Sequence, residues 1–282
     1  MLFRRLNDLA IFDPSRWPAR EVLGRTAGIL AVGIFVAHRI LRLAAFPGLT
    51  MDVEWARPWF ERFESLPEVL AAQPFDLQAY YASFGYTWGE IRALWVTRLF
   101  IWIAETGILL GYILAFLSRK PAQAVARGFM ETVFPLILGV LPFAIVATGY
   151  TYHEWFPERS RSHLIGLFAI NGVLIAAGTA NVLGLLSLRP AFTIMTEARL
   201  FIRSGLYRVV RHPLYAAHFV IYFCYTLLHF HAATVALYVV FVAGQTLRAR
   251  NEEKKLATVF PEYQEYRKST GMFFPRVWNS RT

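Results

Sequence analysis

The chain has 282 residues, of which 56% are hydrophobic, 16% aromatic and only 17% charged, against roughly a quarter charged in soluble domains. That balance excludes a water-soluble globule and equally a disordered chain, which needs low hydrophobicity. A single cysteine, Cys224, excludes an internal disulfide framework and paired-thiol chemistry. No CxxC or HExxH spacing occurs, so no metal site is expected, and no GxGxxG or GxxxxGK[ST] offers a soluble-type nucleotide fold. The net charge of +10 reads as a membrane bias rather than a nucleic-acid footprint, because it is distributed unevenly along an apolar chain. No nucleic-acid partner is expected.

An apolar run of about 20 residues crosses the bilayer core as a helix. Runs near 26–46, 93–117, 129–149 and 164–188 meet that length, and 214–247 exceeds it, with His229-Phe230-His231 dividing it into two short helices. The fold class expected is therefore all-α integral membrane: about six transmembrane helices, the last two being the arms of a C-terminal hairpin. Lys and Arg remain on the cytoplasmic side. Arg4, Arg5, Arg16, Arg20 and Arg25 place the N-terminus there, and the acidic stretch 47–92 lies outside. Arginines across 189–213 and the Lys and Arg of the C-terminal segment return to the cytoplasm, so both termini are cytoplasmic.

Two regions follow. Residues 1–92 combine an amphipathic segment, the first transmembrane helix and an external loop whose Trp55, Trp59, Tyr80, Tyr81 and Trp88 favour the membrane interface. Residues 93–282 form the transmembrane core with a cytoplasmic site. Within the first of its helices, Gly107 and Gly111 make a GxxxG face for close packing, and Glu105 is expected to be buried against Arg98, His38 or Arg39.

Residues able to do chemistry concentrate near the C-terminus: Glu197 and Arg199, then Ser204-Gly205-Leu206-Tyr207, then Arg211-His212-Pro213-Leu214-Tyr215, and after the hairpin Arg248 with Glu252-Glu253. Pro213 lacks an amide hydrogen and can open a helix at its first turn, while holding His212 extended outside the helix N-terminus. That end favours an anion, reinforced by Arg211. The hairpin returns the chain to the same face, so Glu252 and Glu253 lie close to His212. One pole suits a carboxylate, the other a cation or a ribose hydroxyl. Plainer readings exist for each part: the arginines as interfacial anchors, Glu-Glu-Lys-Lys as a solvated helix face, and Leu256, Val259, Phe260 and Tyr263 as an amphipathic stripe on the bilayer.

In combination, Ser204-Gly205-x-Tyr207-x-x-x-Arg211-His212-Pro213-x-Tyr215, an apolar hairpin, Glu252-Glu253 and Glu262-Tyr263-x-x-Tyr266 resemble the C-terminal signature of the integral-membrane isoprenylcysteine carboxyl methyltransferase family, which includes phospholipid methyltransferases. The resemblance covers roughly residues 164–275. It implies S-adenosylmethionine as cofactor, with Gly205, Tyr207, Arg211, His212, Pro213, Tyr215, Glu252 and Glu253 lining its site, and a lipophilic prenyl or lipid-like acceptor entering from the bilayer. For a carboxylate acceptor, Arg248 and Arg199 are the orienting candidates; for an amine or thiol, His212 or Glu252 is the candidate base. Where the family commonly has glycine, this chain has Ala217 and Cys224. An Arg-His-Pro-x-Tyr segment also occurs in membrane sterol reductases, which use a nicotinamide cofactor, so a reductase is the alternative enzyme and a non-catalytic membrane scaffold the alternative class. The expected location is the membrane, the inner or plasma membrane in a bacterium, with the active site facing the cytoplasm.

Overall fold

The computed structural model describes residues 24–30, 32–34, 36, 87–151 and 161–276. The aromatic stretch expected to form an external loop, with most of the region 1–92, lies outside the described residues. Every regular element among those described is helical; the extended contacts are two isolated bridges, Ala124 with Ala198 and Val210 with Gly271.

The first long helix, α1 (Trp88–Ser118), begins at a capping box: the Thr87 hydroxyl accepts from the Glu90 amide, and the Glu90 carboxylate accepts from the Thr87 amide at 2.8 Å. After a short turn of helix, α2 (Gly128–Glu131), the chain continues as α3 (Val133–Thr151) and α4 (Arg161–Leu188). Two 3₁₀ turns, Arg189–Ala191 and Gly205–Arg208, frame an irregular segment leading to α5 (Pro213–Leu228), α6 (Ala232–Val259) and α7 (Tyr263–Ser269). Pro213 occupies the first turn of α5, where its missing amide hydrogen costs nothing. Between α5 and α6 the helix breaks at residues 229–231, and His231 caps α6 by accepting the Ala233 amide on Nδ1 at 3.2 Å.

The second arm of that hairpin is not short. α6 runs 28 residues and carries Arg248, Glu252 and Glu253 within the helix, because Arg, Glu, Lys, Leu and Ala sustain helical backbone whether or not the surroundings are apolar. By length and composition, Leu99–Ser118, Ile165–Ala191 and Ala232–Val259 can cross a membrane, whereas Val133–Val146 and Pro213–Leu228 are shorter apolar helices. Exposed Leu99, Phe100, Ile103, Leu110 and Leu114 along α1 form the kind of continuous apolar surface that requires lipid or protein to cover it.

Helix α1 packs along α4, and α4 along α5. The α1–α4 approach depends on the small residues: a β-carbon on Gly111 would come within 2.9 Å of Leu185, and one on Gly107 within 3.3 Å of Val182. At the polar end of this interface Ala115, Phe116, Leu185, Phe192 and Leu214 form the core cluster, with Phe192 meeting Tyr112 and Phe116 edge-on at 5.4 and 5.3 Å. Glu105 departs from expectation. It is exposed on α1 rather than buried, and its expected partners His38 and Arg39, with the side chain of Arg98, lie outside the described residues.

Candidate active site

The ends of α5 and α6 meet under a cap built from residues 189–211 and 260–276. Adjacent residues on a helix point about 100° apart, so Glu252 and Glu253 serve different partners. Glu253, nearly buried, accepts from Arg211 Nε at 2.7 Å and from His212 Nε2 at 3.1 Å, and Arg267 lies 3.6 Å from its second oxygen. A carboxylate can only accept, so this contact places the imidazole hydrogen on Nε2. Glu252 accepts the Tyr215 hydroxyl at 2.6 Å and Arg248 Nε at 3.0 Å, both on Oε1. Tyr215 stacks on His212, rings 5.4 Å apart and 18° from parallel, and the Arg248 guanidinium lies over the Tyr215 ring at 5.5 Å from its centroid.

His212 makes no side-chain cap bond to α5, so its imidazole is held by Glu253 and the rings around it. Its backbone is held by a strap: the Arg211 and His212 amides donate to Gly271 and Met272 carbonyls at 2.8 and 3.0 Å. Arg211 Nη1 reaches the Arg267 and Thr270 carbonyls, and Tyr266 donates its hydroxyl to the Tyr207 carbonyl. Burial pushes the Tyr266 phenol up to about 12, against the lowering pull of Arg211. Burial, then the neighbouring Glu252 charge, holds the Tyr207 phenol well above its ordinary value, so it stays a donor.

The structure thus brings together Tyr207, Arg211, His212, Pro213, Tyr215, Arg248, Glu252 and Glu253. Gly205 sits nearby in the left-handed region (φ 59°), and with Leu183, Leu186, Ser187, Arg189 and Leu206 it lines a groove of about 450 Å³ at the end of α4. Arg199 is engaged elsewhere: it is buried, donates to the Lys120 carbonyl and pairs with Glu197 at 2.5 Å. Ala217 and Cys224 both face the interior of the helix packing.

Sequence reasoning missed two structural contributors, Lys255 and Gly271, and read a third, Tyr263, two ways. Lys255, read as part of a solvated face, donates to the Val125 and Thr196 carbonyls at 2.7 and 3.0 Å and pairs with Glu131 at 2.5 Å. Tyr263, read both as part of the family-like signature and as a bilayer-lying residue, is 2% exposed and packs edge-on against Phe201 at 5.5 Å. Gly271 closes the strap, and a β-carbon there would overlap the Phe274 carbonyl oxygen. The aromatic spacing around Tyr263 was a visible signal; nothing local marked Lys255.

Apolar helices long enough to cross a membrane, carrying a largely buried polar cluster at one end, define a helical integral membrane protein. The stretch that holds this cluster, residues 170–258, matches the model of the isoprenylcysteine carboxyl methyltransferase (ICMT) family. The match supports membership of that family, and with it a membrane methyltransferase of the ICMT type. It covers less than half of the chain, from α4 to the end of α6. No curated protein matches the chain.

Proposed function

We propose that this chain transfers a methyl group from S-adenosylmethionine to a lipophilic, prenyl or lipid-like acceptor, at a site facing the cytoplasm. The observation that carries this reading is the coincidence of the family-matched stretch with one cluster, since His212, Tyr215, Arg248, Glu252 and Glu253 all fall within residues 170–258 and touch one another.

The residues fit the cofactor's chemistry. Among the described residues Glu252 Oε2 accepts no hydrogen bond, which leaves it open to a ribose hydroxyl or an ammonium. Tyr207 stays protonated beside it, and the stacked His212–Tyr215 pair offers a flat wall to an adenine. Glu253, by contrast, has Arg211 and His212 on Oε1 and the Arg267 guanidinium beside Oε2, and holds the pocket's shape. When bound, the cofactor supplies an electrophilic methyl group on a positively charged sulfur. The protein's task is then to hold the acceptor about 3 Å from that carbon and to exclude water. The exposed apolar flanks of the spans give a lipophilic body a way in from the bilayer, and the arginines of the cap support a cytoplasmic orientation.

Isothermal titration of the purified protein in nanodiscs with S-adenosylmethionine and, separately, with reduced nicotinamide dinucleotide tests the reading. Saturable binding of the first alone is expected. Binding of the second instead would favour a reductase, and binding of neither a scaffold.

A further inference from the structure

Five arginines lie along residues 189–211, against one acid, Glu197. Two of the five are committed, Arg199 to Glu197 and Arg211 to Glu253, and Glu197 also accepts the Thr193 hydroxyl at 3.2 Å. The other three, Arg189, Arg203 and Arg208, are exposed, and their side chains make no hydrogen bond or ion pair among the described residues. The cofactor reading gives them no role.

Arg189 stands at the rim of a concavity. Helix α4 turns Gly184 toward α5 and Leu185 toward α1, while Leu183 and Leu186 are left 52% and 38% exposed. These two leucines, with Ser187, Arg189, Gly205 and Leu206, line the groove of about 450 Å³. Its second wall rests on α4: Gly205 is left-handed at φ 59°, and a β-carbon there would stand 2.8 Å from Ser187 Oγ. The backbone at Arg189 is held as well, since its carbonyl accepts the Phe192 amide and the Pro190 carbonyl accepts the Lys120 amide at 2.8 Å. The Ser187 hydroxyl is spent on the Leu183 carbonyl at 2.9 Å, which leaves the guanidinium as the charged donor of the groove. Of the residues that the family resemblance assigns to the cofactor, only Gly205 touches it.

Position and charge together select an occupant. Ile165–Ala191 is long and apolar enough to cross a membrane, which sets Leu183 and Leu186 against acyl chains and Arg189 at the level of the lipid phosphates. A guanidinium fork matches two oxygens of a phosphate. A zwitterionic head group would also bring an ammonium toward Arg203 and Arg208, which flank the Gly205–Leu206 wall in sequence and repel it; a head group charged only at its phosphate meets no such opposition. We infer that the groove between α4 and the Gly205–Arg208 turn is a binding site for an anionic phospholipid, with its phosphate on Arg189 and its acyl chains along Leu183 and Leu186. The lipid site stands whether or not the chain is a methyltransferase.

Native mass spectrometry of the full chain in a non-ionic detergent, titrated with phosphatidylglycerol or with phosphatidylcholine of the same acyl chains, measures both affinities. Phosphatidylglycerol should bind about fivefold or more tighter. Arg189→Gln should abolish that preference, whereas Arg250→Gln, which removes an exposed charge on α6, should keep it. Neither inorganic phosphate nor dodecanoate at equal concentration should displace the bound phosphatidylglycerol. In nanodiscs, hydrogen exchange at residues 205–208 should slow when phosphatidylglycerol replaces phosphatidylcholine, in wild type and not in Arg189→Gln. Matching unfolding midpoints for the two variants report that both are folded, and the wild-type exchange comparison needs neither. Equal affinity for the two lipids, an equal loss of preference in both variants, or exchange at 205–208 indifferent to lipid charge would each overturn the inference. So would displacement by inorganic phosphate, which marks a site for a free anion, or by dodecanoate, which marks one for a lipophilic carboxylate.

Discussion

Glu252 and Glu253 are neighbours on one helix, yet Glu252 Oε1 holds Tyr215 and Arg248, and Glu253 Oε1 holds Arg211 and His212. The first carboxylate keeps an open oxygen toward the site; the second has both of its oxygens turned to cations.

The two acids should therefore fail in different ways. Glu252→Ala should weaken S-adenosylmethionine binding by about 1.5–3 kcal/mol, the loss of a charge-assisted contact, or roughly tenfold to over a hundredfold, with a smaller loss of unfolding midpoint than at Glu253, because the Glu252 side chain is 19% exposed and Arg248 keeps the Ile194 carbonyl. Glu253→Gln should cost about 3 kcal/mol of stability, because it leaves Arg211 and His212 facing a neutral group in a nearly buried place. His212→Ala belongs with Glu252→Ala in direction, and the exposed Arg250→Ala is the control that should alter neither. Titration calorimetry and thermal unfolding on the same preparations separate the two effects.

The α1–α4 seam gives a second expectation. Gly111→Leu must push Leu185, which already lies within 2.9 Å of the added β-carbon, and overpacking of this kind costs about 1–3 kcal/mol. Gly139→Leu on α3 adds the same side chain where nothing lies within 4 Å, so its unfolding midpoint in detergent should stay near wild type. Equal midpoints for the two variants would argue against close packing at this seam.

Both features were legible in the sequence for physical reasons. A GxxxG step declares a close approach by itself, and a helix-opening Pro213 followed by an apolar hairpin forces Glu253 back beside His212. The length of α6 was not legible, because Arg248-Ala-Arg-Asn-Glu-Glu looks like a membrane exit whether the backbone continues as helix or turns. Nor was Lys255, whose partners Val125, Glu131 and Thr196 are 59 to 130 residues away. Arg199 shows the same gap: its residue type suited a substrate anion, but a partner two residues away, Glu197, claims it.

Gly271 should tolerate no side chain. Its β-carbon position is occupied by the backbone carbonyl of Phe274, which cannot swing aside as a side chain could. Gly271→Ala must displace the strap that receives the Arg211 and His212 amides, so cofactor affinity and stability should fall together, by about 1–3 kcal/mol in stability. Hydrogen exchange at the Arg211 and His212 amides would accelerate selectively, and unchanged protection there would show that the strap does not hold them.

The Glu131–Lys255 pair should give the cap an acid-sensitive component. Desolvation raises the Glu131 carboxyl, but the Lys255 hydrogen bond, the Arg127 amide and both positive charges outweigh it, leaving the group below its ordinary 4.5. Because the folded value is the depressed one, the stabilising contribution is present above about pH 4.5 and is lost as pH falls through the folded value, where the folded state must also take up the proton. Lys255 would then retain the Val125 and Thr196 carbonyls but lose its counter-charge. Glu131→Gln should therefore be less stable than wild type at neutral pH, and the difference should shrink as pH falls below the ordinary carboxyl value of 4.5 and through the lower folded one. The side chain is about a quarter exposed, so the neutral-pH gap should be modest and should narrow in high salt. Unfolding midpoints of both proteins between pH 3 and 7 check this, and a gap that stays constant across that range would show that Glu131 carries no ion-pair stabilisation.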